Sequence, residues 1–183
     1  MTYYHVSSNV KKGDILTRAT KKHNETCSLI SNTQINDYDT YVKLLNELKE
    51  NDINRTGRDA YKWSCEAIFE TVRATLDLDL PSRLWGLFVT NSLDEAIEFR
   101  KNYRTDNASI FQIELPKKKG HRFDMNLFTE ADEALRSKPS KANYDQAVKL
   151  AHHYWDKKTT DTSSIEYLTG VEFITVGEKV NLS

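Results

Sequence analysis

The stretch GLFVTNSLDEAIEF, residues 86–99, decides the fold class because its hydrophobic pattern changes from one period to another. Its first part completes the near-continuous apolar run RLWGLFV, residues 83–89, which has the length of a buried strand. Ser92 and Glu95 follow at the spacing of a helix capping box, and apolar residues then recur at helical spacing up to Phe99. We therefore predict a strand, a turn and a helix.

The rest of the chain predicts strands and helices in separate groups. Further strands are predicted at residues 3–7, 108–115, 121–125, 163–168 and 171–176. Further helices are predicted from Asp37 to residue 51 and at residues 61–76, 127–135 and 144–155. The last two strands, separated by Thr169-Gly170, are expected to form a terminal hairpin. Because the strands are grouped, we predict an α+β fold in one domain, residues 1–183, with a mixed or antiparallel split sheet and flanking helices.

Composition excludes several classes of protein. The 26 Lys and Arg residues balance 27 Asp and Glu residues, a net charge of −1, so no global field attracts nucleic acid or an anionic membrane. No apolar run approaches the roughly 20 residues that span a bilayer. Cys27 and Cys65 lack CxxC spacing, and the N-terminus lacks the apolar core of a signal peptide. We expect free thiols and a cytoplasmic protein.

Common catalytic motifs are absent from the sequence. It contains no GxGxxG, GxxxxGK[ST], HExxH or GxSxG, so dinucleotide oxidoreductases, P-loop NTPases, zincins and α/β-hydrolases lose support. A metal site is also hard to build. His152 and His153 are adjacent and diverge by about 100° on a helix, and His23 has only Cys27 at i+4.

Three separated groups of residues remain as candidates for chemistry. His5 and Ser7 share one face of the first predicted strand. Phe88 and Phe99 flank the strand-to-helix turn, eleven positions apart, and Glu166 lies on a C-terminal strand. Each has an ordinary explanation when taken alone, since strand histidines and glutamates are mostly solvated and aromatic residues mostly build the core.

Together these residues resemble the site of the ADP-ribosyltransferase-like superfamily, in its diphtheria-toxin and PARP branch. That branch combines a His on the first strand, two aromatic residues that sandwich nicotinamide, and a Glu on a late strand. YYHVSS, GLFVTNSLDEAIEF and EYL are similar to these three parts, with Phe88 and Phe99 at the same spacing. FETVR, PSRLWGLFVT, AHHYW and EYLTGVEFITV also resemble a sparsely characterised bacterial and phage family associated with this superfamily, over roughly residues 3–176.

The resemblance implies an ADP-ribosyltransferase-like fold and an enzyme that moves ADP-ribose from NAD, its substrate, onto a macromolecular acceptor, protein or nucleic acid. It implies Glu166 and His5 as catalytic residues, because a carboxylate beside the ribose stabilises an oxocarbenium-like transition state. His5 and Ser7 would hydrogen-bond the ribose and amide groups of NAD. Phe88 and Phe99 would stack on nicotinamide, with Trp85 in reserve.

Two arginines are candidates for the pyrophosphate of NAD, because a guanidinium forks onto phosphate. These are Arg73 and Arg83. A structural salt bridge to Glu70 or Asp79 is an equally good explanation of either.

The sequence departs from the branch at several positions. Val6 stands where the branch has Gly. Phe88 and Phe99 stand where it usually has Tyr. Ser164, two positions before Glu166, replaces the Glu or Gln of the arginine-modifying enzymes, which argues against arginine as acceptor. Three alternatives stay open: an NAD glycohydrolase, a catalytically silent binding protein with the same fold, and an RNA phosphotransferase using the basic cluster at residues 117–122.

Overall fold

The computed structural model describes residues 2–17, 21–50, 59–76, 79–104, 107–115, 120–162, 164–170 and 173–181. Lys117 to Lys119 of the basic cluster lie outside these ranges. Residues 51–58 and 163 also lie outside them. They belong to the loops at 51–60 and 157–164, which are candidates for recognising the acceptor. The chain forms two compact units. The strand-rich unit comprises Met1–Arg18, Gly86–Arg122 and Ile165–Ser183, and the helical unit comprises Ala19–Trp85 and Phe123–Ser164.

Strands and helices follow one another in the predicted grouped order. The strands within the described ranges are β1 Thr2–Ser7, β2 Ile15–Thr17, β3 Leu87–Val89, β4 Ser109–Glu114, β5 His121–Asp124, β6 Ile165–Thr169 and β7 Phe173–Lys179. The helices there are α1 Lys21–Asn32, α2 Tyr38–Glu50, α3 Ala60–Leu76, α4 Leu93–Tyr103, α5 Met125–Ser137 and α6 Lys141–Trp155. The α+β class is confirmed.

The strands form two sheets. One has the order β1-β4-β7-β2 and the other the order β3-β6-β5. The pairs β1–β4, β4–β7, β2–β7 and β3–β6 are antiparallel. The predicted antiparallel, split arrangement is therefore confirmed.

The predicted terminal hairpin is wrong, because β6 and β7 belong to different sheets. A local feature of β7 suits its pairing with β4. A Cβ at Gly177 would lie 2.5 Å from the main-chain oxygen of Gln112, so β7 approaches β4 more closely there than any other residue permits. Thr169-Gly170 is thus part of a connection between the two sheets and not the turn of a hairpin.

The predicted strand at residues 83–89 is shorter than expected. Only Leu87–Val89 pairs as a strand, and residues 83–85 form a turn. The reason lies in the helical unit, where the Arg83 side chain is 5% exposed and pairs with Glu66. Because this buried charge must stay beside its partner, residues 83–85 do not continue the strand.

The sheet of β1 has a different apolar cluster on each face. On one face Tyr3 packs with Val89, Ile113 and Ile174. On the other face, Val6 packs with Ala96, Ala108 and Ile110, and Phe99 packs against this cluster. Alternation along a strand explains why Tyr3 and Val6 separate.

Helix α4 covers the Val6 face of this sheet. Its N-cap is Ser92, whose hydroxyl accepts a hydrogen bond from the backbone N–H of Glu95, as the capping-box spacing predicts. Ala96 and Phe99 then face the sheet from successive turns. The stretch at residues 86–99 therefore forms the predicted strand, turn and helix.

The helical unit is built around an aromatic core. Phe123 stacks on Tyr154, Phe69 and Trp155 meet Tyr154 edge to face, and Phe128 meets Phe69 in the same way. Cys27 and Cys65, predicted as thiols, are both buried and form no disulfide with each other. No helix among the described residues is long and apolar enough to cross a membrane.

Candidate functional site

The candidate site begins where the two sheets meet. Tyr4 of β1 and Thr90, directly after β3, exchange two main-chain hydrogen bonds of 2.8 and 2.9 Å. This pair is an isolated bridge, so β1 and β3 do not continue as a ladder on either side of it. We call the space between residues 5–7 of β1 and residues 87–88 of β3 the β1–β3 gap.

His5 places its imidazole at this gap. Its Nδ1 lies 3.1 Å from the main-chain oxygen of Phe88. Since a carbonyl oxygen only accepts, Nδ1 must carry the hydrogen, and the neutral ring then presents Nε2 as an acceptor. The chain thus fixes one tautomer, whose free nitrogen suits the hydroxyl of a sugar.

The surroundings of His5 favour the neutral ring. Burial lowers the pKa of His5 below its ordinary value of 6.5, the hydrogen bond to Phe88 works in the opposite direction, and the positive charge of Arg104 lowers the pKa further. The imidazole is therefore neutral at pH 7 and ready to accept a hydrogen bond.

This lowered pKa predicts acid sensitivity of the fold. Between the folded pKa and about 6.5 the unfolded chain binds more protons at His5 than the folded one. The free energy of unfolding should therefore fall as the pH drops from 7 through this window. Urea unfolding at several pH values measures it, with His5→Asn as reference because the amide still donates to Phe88 but does not titrate. Parallel pH profiles for the two proteins would contradict the assignment.

Glu166 reaches the same region through the pairing of β3 with β6. Phe88 lies opposite Leu168 and Val89 opposite Tyr167. One step further along this register, Thr90 lies opposite Glu166. Phe88 and Glu166 are therefore diagonal neighbours on one face of the sheet, a separation of about 7–8 Å. Glu166 is 8% exposed.

Through the bridge, Tyr4 also lies on the face that carries Phe88 and Glu166. Tyr4 is opposite Thr90, which is opposite Glu166, so the three side chains share one face across neighbouring strands. By alternation, His5 leaves β1 toward the other face, and it reaches the β3 backbone only because the strands separate beside the bridge. His5 thus lies on the opposite face from Glu166 and the Phe88 ring, and it meets β3 through the main-chain oxygen of Phe88.

The two phenylalanines differ from the core aromatics. Phe88 and Phe99 are both half-buried, whereas Phe69 and Phe123 are 0% and 1% exposed. Phe99 is placed by α4, on the side of the sheet that carries Val6. Both side chains are therefore partly accessible.

Ser7 lies at the end of β1, half-buried and opposite Ser109. Its hydroxyl accepts a hydrogen bond of 3.3 Å from the backbone N–H of Asn9. This contact turns the chain at the end of the strand and leaves the hydroxyl hydrogen to a second partner.

The other three predicted residues belong to the helical unit. Arg73 pairs with Glu70 at 2.7 Å, as the structural alternative predicts. Arg83 pairs with Glu66 at 3.0 Å. Both arginines thus form ion pairs within the helical unit, and their role toward a pyrophosphate stays a prediction.

Trp85, the reserve stacking residue, is half-buried in the helical unit, and its indole N–H donates to the hydroxyl of Ser31. Its role toward nicotinamide stays a prediction.

One residue at the site carries no motif in the sequence. Arg104, the C-cap of α4, is exposed, and its guanidinium carbon lies 5.3 Å from the centre of the Phe99 ring. A basic residue just past a helix that carries a candidate aromatic is the only signal that the sequence offers.

A cavity of about 570 Å³ lies elsewhere in the strand-rich unit, along β4 and β7. Gln112, Glu114, Ile174 and Gly177 contribute to its lining. Its lining contains no aromatic ring and none of the residues gathered at the β1–β3 gap. We place the candidate site at the gap, because the groups with matched chemistry are there.

The fold and these contacts define an α+β protein with a histidine, two half-exposed aromatic rings and a buried carboxylate in its strand-rich unit. The family model described as "Protein of unknown function (DUF2441)" matches residues 3–181, and the chain belongs to this family. Comparison with curated proteins gave no match.

Proposed function

We propose that the protein is an ADP-ribosyltransferase that uses NAD as its substrate and acts at the β1–β3 gap. The observation that carries this proposal is the isolated bridge between Tyr4 and Thr90, beside which His5 binds the Phe88 carbonyl. Beyond the bridge β1 and β3 form no ladder, so their main-chain groups on that side do not bond to one another. The resemblance in sequence supports the same assignment.

The main chain of Val6 matches the carboxamide of nicotinamide. Alternate residues of a strand direct their N–H and C=O groups to the same side, so those of Val6 point where those of Tyr4 point, toward β3. Beyond the isolated bridge β3 does not pair with them. One donor and one acceptor, side by side, complement the oxygen and the NH₂ of a primary amide.

The phenylalanines suit the ring of nicotinamide. In NAD this ring is flat and positively charged, and the face of a phenyl group attracts both flat rings and cations. Phe88 and Phe99 are half-buried and so offer such faces. His5 Nε2 is the acceptor for a ribose hydroxyl, and Ser7 supplies a further hydroxyl at the end of β1.

The reaction breaks the bond between ribose C1′ and the nicotinamide nitrogen. The bonding electrons leave with nicotinamide, which becomes neutral, and positive charge develops on C1′ and the ring oxygen of the ribose. The carboxylate of Glu166 stabilises this charge, and a nucleophile of the acceptor then bonds to C1′ and loses its proton. With water as acceptor the same steps give NAD hydrolysis.

Binding and turnover of NAD test the proposal. We expect the purified protein to bind NAD and to release nicotinamide, quantified by chromatography. Phe99→Leu and Phe88→Leu should each weaken nicotinamide binding about three- to tenfold, because a stacked ring adds about 0.5–1.5 kcal/mol beyond area burial.

Two controls sharpen this test. Phe99→Tyr keeps the ring and should bind normally, and Tyr61→Leu removes a half-buried ring from the helical unit and should have no effect. The proposal fails if the wild-type protein binds neither NAD nor nicotinamide at millimolar concentration. Release of nicotinamide without any acceptor would identify water as the acceptor.

A further inference from the structure

Arg104 stands at the edge of the candidate site. It follows α4 directly, with its backbone N–H bonded to the carbonyl of Arg100, and its side chain is exposed. The guanidinium lies over the ring of Phe99, and Phe99 packs on the cluster that contains Val6. The charge of Arg104 also reaches His5, whose pKa it lowers.

This position differs from that of the two arginines predicted to bind phosphate. Arg73 and Arg83 are paired with buried glutamates in the helical unit. For Arg104, the partner within the described chain is an aromatic face and not a carboxylate. Its guanidinium can therefore accept an anionic partner without breaking an ion pair or exposing a buried charge.

The ligand proposed above requires such a cation. NAD carries two phosphates between its two riboses, and the phosphate nearest the nicotinamide is joined directly to the ribose whose C1′ reacts. If Phe99 stacks on the nicotinamide, the attached ribose and the phosphates lie just beyond its ring, within reach of Arg104. A guanidinium recognises phosphate oxygens through two parallel hydrogen bonds.

We infer that Arg104 binds the pyrophosphate of the dinucleotide, and that it is the phosphate-binding residue of the site. This inference rests on the proposed function. A basic residue at a helix C-terminus also interacts with the helix dipole, and Lys101, exposed in the last turn of the same helix, shares that property. Lys101→Ala is therefore the matched control.

The experiment measures the affinity of three ligands, NAD, ADP-ribose and nicotinamide, for the full chain at constant ionic strength. We expect Arg104→Ala to weaken NAD and ADP-ribose about tenfold or more, the typical effect of losing a charge-assisted pair. Nicotinamide, which has no phosphate, should bind Arg104→Ala as well as wild type or more tightly. Lys101→Ala should bind all three within about twofold of wild type, and Arg104→Lys should recover part of the loss.

The outcomes separate this inference from the proposed function. If Arg104→Ala binds NAD and ADP-ribose normally, or loses all three ligands equally, the inference is overturned while NAD turnover by the wild type still stands. If the wild type binds ADP-ribose through Arg104 but releases no nicotinamide from NAD, the phosphate site stands and the enzyme assignment falls. If the wild type binds none of the three, both are overturned.

Discussion

Replacing Glu166 with glutamine is expected to lower the rate of nicotinamide release from NAD by about 100- to 1,000-fold, the usual effect of removing one group that stabilises charge in a transition state. Glutamine keeps the size and the hydrogen-bonding oxygen of the side chain but lacks the negative charge that the oxocarbenium-like ribose requires. Because the charge matters most in the transition state, NAD affinity should change little.

Single-turnover kinetics and a separate NAD binding measurement distinguish these effects. Glu114→Gln, at the exposed end of β4 in the same unit, removes an equal charge and should react at the wild-type rate. A thermal melt of each variant confirms folding. An unchanged rate for Glu166→Gln would exclude the carboxylate from the chemistry, and an equal loss for Glu114→Gln would point to net charge instead.

Arg83→Met is expected to lower the free energy of unfolding by about 3–5 kcal/mol, the cost of breaking a buried ion pair from one side. The side chains of Arg83 and Glu66 are 5% and 0% exposed. Arg83 also donates to the hydroxyl of Tyr154 at 2.7 Å and lies over the Phe128 ring at 4.1 Å. Methionine fills a similar volume but leaves the Glu66 carboxylate buried without its main cation.

Urea unfolding of a small set of variants tests this explanation. Arg83→Met combined with Glu66→Met should recover most of the stability, because an apolar pair in place of a buried ion pair is often neutral. Arg136→Met removes a surface cation paired with Asp59, both about 40% exposed, and should cost less than about 1 kcal/mol. If Arg83→Met were as stable as Arg136→Met but bound NAD poorly, Arg83 would be the phosphate ligand that the sequence suggests.

The parts of the fold that the sequence predicts well are those with long periodic patterns. Helices α2, α3 and α6 carry apolar residues through several turns, and all three form. Helix α1 was not predicted, since Cys27 and Ile30 are its fully buried side chains within the part described. Strand β2 has three residues, too few for a period, and Ile15 is 63% exposed.

Partner choice is harder to predict than element type. The terminal hairpin follows the rule that consecutive strands tend to pair, and the close approach at Gly177 overrides it. Arg73 finds Glu70 within one helical turn, a spacing that is visible in the sequence, whereas Arg83 finds Glu66 seventeen positions away. Long-range partners depend on packing and carry no local signal.

At the candidate site, too, some features can be predicted from the sequence and others cannot. The resemblance selects His5, Phe88 and Glu166, and strand register brings these three to one region of the strand-rich unit. The bridge between Tyr4 and Thr90 and the contact of Arg104 with Phe99 have no motif. They depend on where the strands and helix α4 end, which the sequence does not show.

The hydrogen bond from His5 to the Phe88 carbonyl has a consequence for the sheets themselves. In an antiparallel ladder that continued past Tyr4 and Thr90, the next bonded pair would be Val6 with Phe88, and the N–H of Val6 would take that carbonyl. In the structure, the imidazole of His5 bonds to the Phe88 carbonyl. A side-chain hydrogen bond therefore stands where the next ladder bond between β1 and β3 would form.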